Sequence, residues 1–187
     1  ALLNTAAFVL QLEEAPAFSG LGSRLLSLAM LGLALWLLHY DLARRTVRQQ
    51  GLTRFIAVCM LSGYVWLGCS GLLGLVHGIV GTGPLYDAVL HAFFLGFIFA
   101  MIFGHAPIIF PALLGVSMSF RPTFYIPLAL LHLTLVLRLV GDLAYWPPGQ
   151  QWGGLLNALA IVAFMANNVY AVRTAPTSTP DQGETSS

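Results

Sequence analysis

The chain is a succession of long apolar runs divided by short polar breaks. Each run is close to the ~20 residues needed to cross the hydrocarbon core of a bilayer. Five candidate spans follow one another, at about Leu21 to Tyr40, Arg54 to Val80, Leu85 to Leu114, Phe124 to Ala144 and Gly153 to Val172. Ahead of them, Glu13, Glu14 and Pro16 close an apolar piece, Ala1–Leu10, that is too short to span and lacks the basic flank of a signal peptide. One reading makes it the clipped end of a sixth helix and the chain a fragment. Behind the spans, Thr174 to Ser187 is Thr, Ser, Pro and acid, and reads as a disordered tail. The pattern predicts an all-α integral membrane protein. Residues 1–20 would form an outer N-terminal segment, 21–173 a bundle of five transmembrane helices, and 174–187 the tail, with no second domain and no repeat.

Composition agrees with the pattern. The chain is 58% apolar and 8% charged, with a mean hydropathy of +0.82, where soluble domains carry about 25% charged residues. A net charge of +1 sets up no field for nucleic acid, so the lipid bilayer is the expected partner. All eight positive residues are arginines. The first loop holds Arg44, Arg45 and Arg48 with Arg54 at its edge, the third holds Arg121, and Arg173 closes the last span. The loops at Gly81–Pro84 and Tyr145–Trp152 hold none, and Trp146 and Trp152 would mark that interface. By the positive-inside rule the first and third loops and the C-terminus are cytoplasmic. The expected location is a bacterial inner membrane.

Glycines crowd the second span at Gly63, Gly68, Gly71, Gly74 and Gly78, with Gly74 and Gly78 in GxxxG spacing. They suit close helix packing, or leave room for a flat macrocycle. Cys59 and Cys69 lie ten residues apart on one helix (59 to 69) and cannot bridge; they read as small buried residues, and Met101 and Met165 as packing. Asn157, Asn167 and Asn168 read as hydrogen-bonding groups between helices. Pro107 and Pro111 predict a bend late in the third span.

Ionisable groups inside spans are costly and are functional candidates. They are His77, His91, His105, His132, Arg138 and Asp142, with His39 and Asp87 near interfaces. His91 and His105 stand at the two ends of one uncharged apolar run. On an α-helix they would lie about 21 Å apart and within roughly 40° of one face. Depth pairs His91 with His77 in the outer half, and His105 with His132 in the inner half. Neutral imidazoles on facing helices ligate haem iron, so the pairs predict haem b, with copper as the rival metal. The alternative use of each imidazole is a hydrogen bond to a neighbouring helix. Arg138 either pairs with Asp142 four residues on or binds a haem propionate. Asp87, one turn before His91, reads as a helix cap or as an orienting acceptor for the imidazole.

The third span carries His91, Gly96-Phe97, Met101-Ile102-Phe103-Gly104, Phe110-Pro111 and Gly115. It resembles the helix of heme-copper oxidase subunit I that opens on a haem-ligating histidine and ends in a Pro–x–x–x–Gly turn. Leu130-Leu131-His132, Leu137-Arg138-Leu139 and a last helix ending in Tyr170 and Arg173 are similar to the C-terminal part of NnrS-type proteins. Those are haem- and copper-containing membrane proteins linked to nitric oxide metabolism. The resemblance covers roughly residues 85–173 and implies His91 as a haem ligand. The glycine–histidine–threonine–glycine–arginine run of the NnrS pattern is absent, and so are the adjacent copper-ligating histidines and the His–x–x–x–Tyr of oxidases; an oxygen-reducing binuclear centre is not implied. The expected function is a membrane haem protein for electron transfer or for handling NO or another diatomic gas, whether or not it is an enzyme. The alternative is a subunit of a membrane redox complex without its own cofactor, in contact with other redox subunits or quinone.

Overall fold

A computed structural model describes residues 16–78 and 81–175. The N-terminal piece Ala1–Leu10 and nearly all of the expected disordered tail lie outside the described residues. Within them the chain is all-helical: α1 (Pro16–Tyr40), a short α2 (Ala43–Thr46), α3 (Gly51–His77), α4 (Pro84–Leu114), α5 (Tyr125–Leu143) and α6 (Pro147–Arg173). Five of these are long and apolar enough to cross a membrane. Exposed Leu25, Leu28, Leu35, Leu133, Leu155 and Val162 give the bundle an apolar outer surface, which suits lipid and not water.

The long helices pack in sequence order, α1 on α3, α3 on α4, α4 on α5 and α5 on α6, with a lighter α4–α6 contact. This up-and-down order gathers Arg44, Arg45, Arg48, Arg54, Arg121 and Arg173 at one end of the bundle. Arg121 lies over the Tyr170 ring, 5.2 Å from its centroid. Toward that end the core is aromatic: Phe55, Phe103, Phe124 and Phe164 are buried, and Phe103 stacks on Phe164 at 3.7 Å. Toward the other end it is smaller, built from Ala88, Ala92, Leu135 and Leu139 with Trp66 against them.

Glycines set the helix separations. A Cβ on Gly71 would fall 2.8 Å from the Leu31 nitrogen and the Ser27 carbonyl oxygen of α1, and one on Gly63 would fall 2.7 Å from the Met101 side chain. Gly68 faces Ala34. The space beside these three is therefore filled by neighbouring helices, and this part of α3 offers no slot for a macrocycle. Among the described residues the closest approach to a neighbouring backbone is in the α5–α6 hairpin, where a Cβ on Gly153 would lie 2.6 Å from Arg138 Cα and one on Gly141 2.5 Å from the Gln150 nitrogen.

Two local features differ from the pattern reading. The last helix begins at Pro147 rather than near Gly153, because Pro147 and Pro148 occupy its first positions, where a missing N–H costs nothing and the fixed φ favours a helix. α4 also holds a π-helical segment, Ala92–Ile98, that the pattern did not signal, ahead of the α-helical stretch that carries Pro107 and Pro111 and ends at left-handed Gly115. A π-bulge adds about one residue to a helix, which turns everything after it by about 100°. His105 is then about 140° around the axis from His91 instead of roughly 40°. The expectation of one shared face is corrected accordingly.

Candidate functional site

Chemistry-bearing side chains collect at the N-terminal end of α4 and the C-terminal end of α5. Asp87 sits in the first turn of α4, and its backbone carbonyl accepts a 2.6 Å hydrogen bond from His91 Nδ1. A carbonyl only accepts, so the proton is on Nδ1 and Nε2 keeps its lone pair. The same Nδ1 is 3.7 Å from Asp142 Oδ2 on α5, and the His91 side chain stays 28% exposed. Asp142 is fully buried.

Arg138 holds this carboxylate. Its Nε donates to Asp142 Oδ2 at 3.2 Å and its Nη1 to the Gln150 carbonyl at 2.7 Å, while Nη2 stands 3.8 Å from Asp87 Oδ2. Gln150 Nε2 returns a bond to the Gly141 carbonyl. The guanidinium thus ties α4, α5 and α6 together, and each of its nitrogens faces a group of this chain. Asp142 Oδ1 has no partner, so one lone-pair edge of a buried carboxylate is open beside His91.

The remaining histidines are dispersed. His105 repeats the posture of His91: Nδ1 is 2.8 Å from the Met101 carbonyl, again leaving Nε2 unengaged. It lines a shallow membrane-facing groove of about 290 Å³ with Ile102, Ile109 and Phe110. His132 does not join it. The Trp66 indole donates to His132 Nδ1 at 3.0 Å, and His132 Nε2 is 3.0 Å from Ser62 Oγ. An indole N–H only donates, so Nε2 carries the proton and gives it to Ser62, whose own hydroxyl donates to the Cys59 carbonyl. Both ring nitrogens of His132 are in use as a clamp between α3 and α5. His77 is the last residue of α3 and is exposed. Among the described residues no group of three or more His, Cys, Asp or Glu could hold a metal ion.

The asparagines divide. Asn157 Oδ1 accepts from Thr134 of α5 and Asn167 Oδ1 from Thr123, whereas Asn168 bonds the Phe164 carbonyl of its own helix. The sequence reading missed the reach of Asp142 to His91, the Trp66–His132–Ser62 clamp and the role of Gln150. The clamp joins residues 66 and 70 positions apart, a separation that leaves no local signal. Gln150 carried only a weak one, as the first of two adjacent glutamines, Gln150 and Gln151, that follow Pro147 and Pro148.

No curated protein and no solved structure matches the chain. A family model described as a domain of unknown function, DUF8744, matches residues 1–173, and the chain belongs to that family.

Proposed function

We propose that this membrane protein binds haem b through His91, with His105 as a second candidate ligand on the same helix, and serves electron transfer or the handling of a diatomic gas such as NO. The observation that carries the reading is the shared posture of the two imidazoles. Each gives its Nδ1 proton to the carbonyl four residues earlier and leaves Nε2 free. That arrangement fixes the tautomer and orientation of a ligating histidine. The donor chemistry therefore fits an iron porphyrin, while the filled space beside Gly63, Gly68 and Gly71 leaves the outward side of α4 for a macrocycle.

When bound, haem would supply a one-electron couple or an axial position for a gas. The chain's own contribution is to set the basicity of His91. The Asp87 carbonyl that accepts the Nδ1 proton would raise the donor strength of Nε2, with the Asp142 carboxyl 3.7 Å from the same nitrogen and held in place by Arg138. Arg138 spends its hydrogen bonds inside the chain, which argues against a main role in holding a propionate. His132 is reserved for packing by its two bonds, and copper has no cluster to hold it among the described residues. The resemblance to NnrS-type and heme-copper helices adds to this reading at His91 only.

The same network favours a second reading, a cofactor-free subunit of a membrane redox complex. Arg138, Asp142, Gln150 and His132 all join helices to one another. Haem content of purified variants separates the two. His91→Ala should lose haem while His132→Ala and Cys59→Ala keep it. Unchanged content in His91→Ala would overturn the first reading, and a parent chain without haem, expressed with haem available, would establish the second.

A further inference from the structure

At the arginine-rich end, α1 stops at Tyr40 and the chain turns back along α3. Asp41 Oδ1 accepts from the Ala43 N–H at 2.7 Å and starts α2, which carries Arg44 and Arg45 outward with Arg48 just beyond. Arg44 Nη1 donates to the His39 carbonyl at the end of α1. Among the described residues none of the three guanidiniums pairs with a carboxylate; the ion pairs there all lie in the Arg138 cluster.

Two cavities adjoin at this turn and share His39 and Arg44. The outer one, about 560 Å³, is walled by Tyr40, Asp41, Arg45 and Arg48. The deeper one, about 790 Å³, runs between α1 and α3 over Leu35, Leu38, Val58, Leu61 and Val65. Its one polar wall group in the deep part, Ser62, is already satisfied by His132 and the Cys59 carbonyl, so the deep cavity offers hydrocarbon contact and nothing else. Both volumes fall within the about 300–1,000 Å³ usual for ligand sites. Exposed Trp36 and Tyr40 stand beside the turn, the aromatic pair expected at headgroup level.

We infer that this turn is a binding site for one anionic phospholipid, its phosphate against Arg44, Arg45 and Arg48 and an acyl chain in the groove between α1 and α3. Three arginines without a carboxylate partner, at headgroup depth, supply the charge complement. The apolar groove directly beneath supplies the tail site that a free anion would not need. Such a lipid would also cover the flank of α1, whose main packing is on α3.

The test uses the detergent-purified chain. Thermal unfolding is followed with added phosphatidylglycerol, phosphatidylcholine or inorganic phosphate, and bound lipid is counted by native mass spectrometry. Phosphatidylglycerol should raise Tm and appear as one retained lipid; phosphatidylcholine and inorganic phosphate should do neither. Arg45→Gln/Arg48→Gln, which spares the Arg44 bond to His39, should lose the preference for the anionic lipid. Val65→Trp, at an exposed position that fills the groove without entering the core, should lose the bound lipid. Equal shifts with both lipids, the full shift with inorganic phosphate alone, or an unchanged response in both variants would overturn the site.

Discussion

Replacing Arg138 by methionine removes the positive end of the ion pair that holds the fully buried Asp142 carboxyl. Three contacts go together: 3.2 Å to Asp142 Oδ2, 2.7 Å to the Gln150 carbonyl and 3.8 Å to Asp87 Oδ2. Asp142 is fully buried and one of its oxygens already lacks a partner. The variant therefore strands a charge or takes up a proton at a cost. Breaking one side of a buried pair costs about 3–5 kcal/mol. Removing both sides is far milder, because apolar residues of similar size avoid the desolvation of two ions. The double variant Arg138→Met/Asp142→Leu should thus recover most of what Arg138→Met loses. The assay is denaturant unfolding of the detergent-purified chain, read by tryptophan fluorescence, as a double-mutant cycle with Asp142→Leu as the fourth corner. An Arg138→Met loss below about 1 kcal/mol would place the pair among weakly coupled surface pairs, and losses that simply add would show that the two groups do not act on each other; either would refute the reasoning.

Other variants probe the remaining contacts. His132→Phe leaves the Trp66 N–H without an acceptor and should cost about 1–3 kcal/mol in the same unfolding assay, with haem content unchanged; a neutral result would remove the α3–α5 clamp. Gly153→Ala places a Cβ 2.6 Å from the Arg138 backbone, where only a helix shift can make room, and should cost about 1–3 kcal/mol. Gly32→Ala, with nothing within 4 Å, should be neutral or stabilising, so equal effects at the two positions would contradict the packing described for the α5–α6 hairpin.

The five spans were legible because each is a predominantly apolar run of bilayer length, and their polar breaks fall where the helices end to within a few residues. The start of α6 was not, because Pro147, Pro148 and Gly149 read as a loop, although the same prolines fit the first turn of a helix. The π-helical stretch of α4 has no residue signature: Ala92–Ile98 is as apolar as its flanks, and it alone decides that His91 and His105 point to different sides. Depth along a span can be counted from sequence, but azimuth cannot once a helix departs from α geometry. The candidate site was legible as a set of residue types, His91, Arg138 and Asp142, and the Arg138–Asp142 spacing anticipated their contact. The approach of Asp142 to His91 depended on how α4 and α5 dock, which small residues such as Ala88 and Ala92 determine.

The most direct measurement of the central claim is a visible titration of the haem-free, detergent-purified chain with haem, run beside His91→Ala. The account predicts a saturating spectral change in the parent that reports histidine ligation and is lost or strongly weakened in His91→Ala. Identical titrations of the two proteins, or no specific change in the parent, would contradict it.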